Sequence, residues 1–229
     1  MKANYLKEIN QIFDSATVNF NYKETVKKIE SILVKNPELK NEQTLSKLGF
    51  LYDHLAFFSK NKILQPKYEQ EALRLYNQAL KYNPDSVSAI WGIGRIWWHR
   101  KNKKAIKYAR RAARLAVKQD PELSVMYMNL AVVYETLGNL KRAEYWYRYV
   151  LKKEPNFFGA YYGLAEMYYV KDVPNKADKI SKLLPQLIKL YKKESKKSLG
   201  SKFEDKRKKI INDIVMYVKK EKGGGLPPV

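Results

Sequence analysis

The stretch IWGIGRIWWHR, residues 90–100, gathers two glycines, three tryptophans, a histidine and two arginines. Those types serve three chemistries: a glycine loop that cradles phosphate, an aromatic and basic patch that stacks on nucleic acid, or one face of a packed helix. A dinucleotide fingerprint needs a third glycine where Trp97 stands, and a strand before it. The sequence offers neither, so the first reading fails. The only histidines are His54 and His99, and there is no cysteine. Neither histidine has a metal-site spacing such as H-x-x-x-H. No nucleophile elbow, phosphate loop or loop-borne carboxylate pair rises above background. The expectation is a chain with no enzymatic role, no cofactor and no metal.

Without cysteine there is no disulfide framework and no thiolate chemistry. The opening residues, MKANYLKEINQIF, are amphipathic and lack the apolar core of a signal peptide. No apolar run approaches the roughly 20 residues that span a bilayer. The expectation is a soluble, cytoplasmic protein. Net charge is +22, from 45 Lys+Arg against 23 Asp+Glu. Residues 1–58 are close to balanced, whereas 101–122 and 158–229 carry the excess of cations. Such asymmetry marks either a polyanion-facing surface or the solvated faces of a lysine-rich chain.

The elements that hold these residues show up as a period. Tyr127, Leu130, Ala131, Tyr134 and Ala143 each recur 34 residues later, as Tyr161, Leu164, Ala165, Tyr168 and Ala177. With Gly138, Tyr147 and Pro155, residues 124–157 carry a complete pattern of large residue, leucine, small residue and aromatic, then alanine, aromatic and proline. This pattern resembles the tetratricopeptide repeat family. Leu45, Leu48, Gly49, Tyr52, Ala72, Tyr76, Ala79 and Pro84 give an earlier copy, with an insertion around SKNKILQPKYE (59–69) expected as an exposed loop. Ile90, Ile93, Gly94 and Trp97 give the copy between them, so the opening stretch is the first helix of a repeat. The first copy is degenerate, and the last has Pro174 in its turn and an early Pro185.

The resemblance implies an all-α, right-handed α-solenoid of about five helix-turn-helix repeats, near 3–37, 42–84, 87–121, 124–157 and 158–191. The expected solenoid domain spans 1–200. A capping helix over 201–222 follows, with an apolar stripe of Phe203, Ile210, Ile211, Ile214, Val215 and Val218. GGGLPPV, 223–229, is expected as a flexible tail.

In that family the outward positions of each first helix line a concave groove that takes partners. Carried across, these are Ser46, Phe50 and Asp53; Trp91, Arg95 and Trp98; Met128, Val132 and Glu135; Tyr162, Glu166 and Tyr169, with Asn129 beside them and His54 and His99 flanking. The sequence leaves two readings open: these aromatics await a partner, or they pack on adjacent helices or on the chain's own tail. Members that grip a chaperone's C-terminal carboxylate use Lys and Asn, then Asn, then Lys and Arg on successive first helices. The matching places hold Trp91 and Arg95, then Asn129, then Gly159 and Gly163, so no such clamp is expected.

The second helix of the third repeat, 101–118, sets Ala105, Ala109, Ala112 and Ala116 against Lys103, Lys107, Arg110, Arg114 and Lys118. Five cations spaced i+4 and i+3 share a face and repel. The expected function is a non-catalytic scaffold that binds a peptide or protein in the aromatic groove. Two alternatives stand beside it: binding of an acidic partner, RNA or an anionic membrane by the convex basic helix, and homo-oligomerisation through capture of the GGGLPPV tail.

Overall fold

The computed structural model describes residues 2–120, 125–195 and 202–222, which form α-helices, one short 3-10 turn at Pro37–Leu39, and no strand. The chain divides into two compact units, Met1–Leu123 and Ser124–Val229, so the division falls between the expected third and fourth repeats. In unit 1 the helices pair as α1 (Lys2–Asn19) with α2 (Tyr22–Lys35), α3 (Glu42–Phe58) with α4 (Leu64–Tyr82), and α5 (Val87–His99) with α6 (Lys104–Gln119). In unit 2 they pair as α7 (Val125–Thr136) with α8 (Leu140–Lys153) and α9 (Phe158–Val170) with α10 (Lys176–Ser195). The final helix α11 (Lys202–Lys222) packs on α10 and α9. The GGGLPPV tail and part of the link before α11 lie outside the described residues, as does the side chain of Phe203. Ile211, Ile214, Val215 and Val218 bury the stripe expected of α11.

Local chemistry sets the helix ends. Asn41 and Thr44 form a reciprocal capping box on α3: the Thr44 amide donates to Asn41 Oδ1 (3.0 Å), and the Asn41 amide donates to Thr44 Oγ1 (3.1 Å). Ser86 accepts the Ala89 amide at 3.1 Å and opens α5. Helix α7 closes with Gly138 at φ +79°, its amide donating to Glu135 O (2.9 Å) while the Asn139 amide donates to Tyr134 O (2.8 Å). Helix α5 closes the same way. There the Lys101 amide donates to Trp98 O (2.8 Å) and the Asn102 amide to Trp97 O (2.9 Å), with Lys101 itself at φ +51°. A side chain thus occupies the left-handed position that glycine fills one repeat later.

The packing follows the expected register. Ala131 and Ala143 are fully buried. A Cβ on Gly94 would lie 3.0 Å from Tyr108 Cβ and 3.5 Å from the Ala109 nitrogen, so only glycine lets α6 approach α5 this closely.

One expectation is corrected. The insertion over 59–69 is not a loop: α3 runs on to Phe58 and α4 begins at Leu64, so only residues 59–63 connect them. Asn61 Oδ1 accepts the Ile63 and Leu64 amides at 2.8 and 3.2 Å, and Pro66 falls in the first turn of α4, where a missing amide hydrogen costs nothing. The lengthened α4 brings Glu69 against Arg100, with Arg100 Nε donating to Glu69 Oε2 at 2.8 Å. The early Pro185 of the last repeat sits inside α10. Buried Ile180, Leu184, Leu187 and Ile188 on either side hold the helix together through the hydrogen bond the proline removes.

Relieving the left-handed lysine should stabilise the fold. Lys101→Gly is expected to add ~0.5–1 kcal/mol, the usual left-handed penalty less the added freedom of the unfolded chain. In a chain of this size that raises Tm by about 2 °C. Gly138→Lys should lower it by a similar amount, and thermal circular dichroism reads both.

Candidate partner-binding site

The site rests on one packing contact that each unit makes. In unit 1 the Tyr76 ring of α4 lies between α3 and α5. A Cβ on Gly92 would come 2.1 Å from Tyr76 Cζ, and one on Gly49 would come 2.8 Å from Cε1. Gly92, the glycine of the opening stretch with no assigned task, is therefore the seat of this ring. The buried hydroxyl reaches the Arg95 side chain.

Arg95 is the hub of unit 1. Its Nε donates to Asp53 Oδ2 at 2.5 Å, and its guanidinium carbon stands 4.7 Å over the Phe50 ring. Asp53 is 2% exposed. Burial raises its carboxyl above the ordinary range against the opposing pull of Arg95. The two charges are spent on each other, in an enclosed pair whose rupture would strand a buried ion. His54 Nδ1 lies 2.9 Å from Phe50 O, which assigns the proton to that nitrogen as donor to the carbonyl. The 3.4 Å approach of Arg95 Nη2 to the same nitrogen is then a contact between two donors and not a hydrogen bond.

Around this hub the rings form a continuous chain. Trp98 stacks on His99 (4.9 Å), His99 meets Phe57 (4.7 Å), and Phe57 meets Phe58 edge-on (5.0 Å). Phe58 stacks on Tyr22 (6.0 Å) and Tyr22 meets His54 (5.1 Å). His54 lies 3.9 Å from Phe50, and Phe50 lies 5.4 Å from Phe13 on α1. Phe57 and Phe58 are more than half exposed, which is unusual for phenylalanine. Sequence reasoning missed both, although the adjacent pair at the end of a first helix was visible. Trp91 and Trp98 are half-buried, as is His99.

Unit 2 repeats the contact with different charges. A Cβ on Gly163 would lie 2.7 Å from Tyr147 Cε1, and the Tyr147 hydroxyl donates to Glu135 Oε2 at 2.9 Å. Glu135 stands where unit 1 has Asp53, and Glu166 stands where it has Arg95. Burial raises both carboxyls above their usual range; Tyr147 and Lys171 oppose it at Glu135, and Lys206 and Tyr162 at Glu166. Burial, then Glu166, pushes the Tyr162 hydroxyl up to about 12. Met128, Asn129 and Val132 on α7 are half-buried, with the Met128 sulfur beneath Gly159. Tyr169 meets Tyr217 of α11 at 5.7 Å, and Arg207 of α11 lies over Phe158 at 5.7 Å. Part of the α9 row thus packs on the chain's own last helix. Gly163, one of the places compared with a carboxylate clamp, serves instead as the seat of a tyrosine ring.

On α6 the alanine stripe is buried and Lys103, Lys107, Arg110, Arg114 and Lys118 are all exposed. Lys103, Lys107, Arg114 and Lys118 enter no ion pair among the described residues, whereas neighbouring Arg111 bonds Pro84 O (2.7 Å) and Asp85. No group of three or more acidic or histidine side chains among the described residues could hold a metal. No helix among them is long and apolar enough to cross a membrane.

Comparison with known proteins bears on the fold. The tetratricopeptide repeat model matches residues 70–116 and 103–156. The fold is similar to that of PilW, described as a widely conserved type IV pilus biogenesis factor, at 17% identity and TM-score 0.64 over 94% of this chain and 90% of that one. It is also similar to TTC0263, a thermophilic protein of the same repeat class in Thermus thermophilus, at 16% identity and TM-score 0.62 over 74% and 88%. MamA is similar at 21% identity and TM-score 0.56 over 80% and 96%. At such identities the likeness is one of fold, an α-solenoid of helical repeats. No curated protein matches in sequence.

The half-buried histidines give the stability of the chain a pH dependence. Burial, reinforced by the charge of Arg95, pushes His54 and His99 down to about 4. In the unfolded chain a histidine titrates near ~6.5. Between those values the unfolded chain binds protons that the folded chain refuses, so stability is complete above this window and falls as the pH drops through it. Tm is expected to fall by several degrees from pH 7 to pH 5. His99→Phe, which keeps a ring between Trp98 and Phe57, should reduce that fall in scanning calorimetry.

Proposed function

Because the chain is a tetratricopeptide repeat protein, we propose that it is a non-catalytic scaffold that binds a peptide or partner protein on the outward rows of its first helices. The observation that carries this reading is the ring chain of unit 1, which holds two exposed phenylalanines in its middle. Each large apolar side chain moved from water into an interface contributes ~1.5–3 kcal/mol, and aromatic anchors commonly dominate such surfaces. Trp91, Trp98 and, in unit 2, Tyr162 are the proposed anchors. Arg95 and Asp53 hold Phe50 and His54 in place. Glu166 supplies a charge for a basic side chain at the position that unit 1 fills with its own arginine.

A second reading has its own observation: the five exposed cations of α6, four of which lack an ion pair among the described residues. They suit a polyanion, an acidic protein or RNA, whose binding would release counterions. Tail-mediated self-assembly rests on 223–229, outside the described residues.

A peptide selected against the full chain from a random library provides the test. Trp98→Ala should weaken its binding at least tenfold while the helical circular dichroism is unchanged; an unaltered Kd would remove the aromatic face from the account. For the second reading, the double change Arg110→Glu and Arg114→Glu should abolish RNA binding that Trp98→Ala leaves alone. A salt titration with no slope would count against it.

A further inference from the structure

Unit 1 also carries a cleft of about 490 Å³ between α2 and α4, floored by α3. That volume is within the usual range of binding pockets, ~300–1,000 Å³. Leu33, Leu45, Leu48 and Leu75 form its floor, all but buried. Its lips are Val34 and Tyr82, which are 76% and 61% exposed. At about 100° per residue, Leu45 and Leu48 point roughly 140° around α3 from Phe50 and Asp53. The cleft therefore faces away from the aromatic row and is a separate surface.

Its charge is mostly positive. Lys40 and Lys81 line it and form no ion pair among the described residues. Arg74 lines it too, held by Glu71 through Nε at 2.8 Å. The carboxylate in its lining, Glu30, is already engaged by the Tyr52 hydroxyl at 2.6 Å. An occupant thus meets leucines below and, at the rim, three cations against the one carboxylate of Glu30, with Lys40 and Lys81 in no ion pair among the described residues. The cleft is open along one side, so it covers one face of its occupant. Small-molecule pockets enclose most of their ligand, whereas a protein segment keeps its other face on its own parent.

We propose that this cleft docks an acidic, leucine-bearing segment of a partner protein. Its apolar side chains lie on the leucine floor between Val34 and Tyr82, and its carboxylates meet Lys40 and Lys81. Unlike the aromatic face, this surface selects its partner by negative charge, so the two can be occupied at once by different chemistries.

The test uses a fluorescein-labelled synthetic peptide of leucine pairs separated by glutamates, and its counterpart with lysine for glutamate, titrated into the full chain by anisotropy. The acidic peptide should bind and the lysine peptide should not. Val34→Glu and Lys81→Glu, both exposed and not expected to disturb the fold, should each weaken binding at least tenfold with an unchanged Tm. Trp98→Ala and Arg114→Glu should leave it within twofold. Binding that survives both cleft variants, or that is lost with Arg114→Glu instead, overturns the proposal. So does displacement of the peptide by dodecanoate, which would make the occupant a simple apolar anion. A sedimentation mass that falls in Val34→Glu would make it a second copy of the chain, and would likewise overturn it.

Discussion

A tyrosine ring laid against a backbone with no side chain governs this molecule. Tyr76 reaches from α4 to Gly92 on α5, and Tyr147 reaches from α8 to Gly163 on α9. In both places the ring is fully buried, so the room left by the glycine of the next first helix is filled by an aromatic ring. The small residues of the repeat, Gly94 and Ala131 among them, set the spacing within a pair. Together the two contacts leave little freedom in how successive first helices line up, and the outward rows inherit that order.

The same contact carries polar chemistry toward the surface. Each buried ring ends in a hydroxyl beside an acid of the preceding first helix or its partner. In unit 1 the acid is Asp53, already neutralised by Arg95, and the surplus interaction goes into holding Phe50 and His54. In unit 2 the acid is Glu135, bonded to Tyr147, and the next helix offers Glu166 in place of an arginine. One architecture thus yields an internally balanced, aromatic surface in the first case and a more acidic one in the second. A buried pair such as Asp53–Arg95 adds little net stability by itself, but it fixes geometry because neither partner tolerates loss of the other.

How much of this could be read beforehand divides along a physical line. Residues that pack on their own repeat announce themselves by recurrence: Leu130, Ala131 and Tyr134 return 34 positions later, and Gly94 and Gly138 do in the structure what their places in the pattern required. Residues whose partner lies in another repeat do not. Gly92 looked idle because its partner, Tyr76, is 16 positions away on a different helix. Arg95 and Asp53 were both read as groove charges because nothing in the spacing shows that they meet. The segment 59–69 read as a loop because lysine, asparagine and proline gather there, yet long helices on both sides absorb it. Pro185 stands inside α10 because propensity is local, while the leucines around it answer to tertiary burial.

The register between repeats shows the keying at work in the sequence itself. In both units the tyrosine of one second helix faces the glycine of the next first helix, Tyr76 with Gly92 and Tyr147 with Gly163. Bulk on one side travels with vacancy on the other. Lock and keyhole are therefore a single character spread over two distant codons: a side chain gained at the glycine would jam the joint, and a ring lost at the tyrosine would leave it hollow.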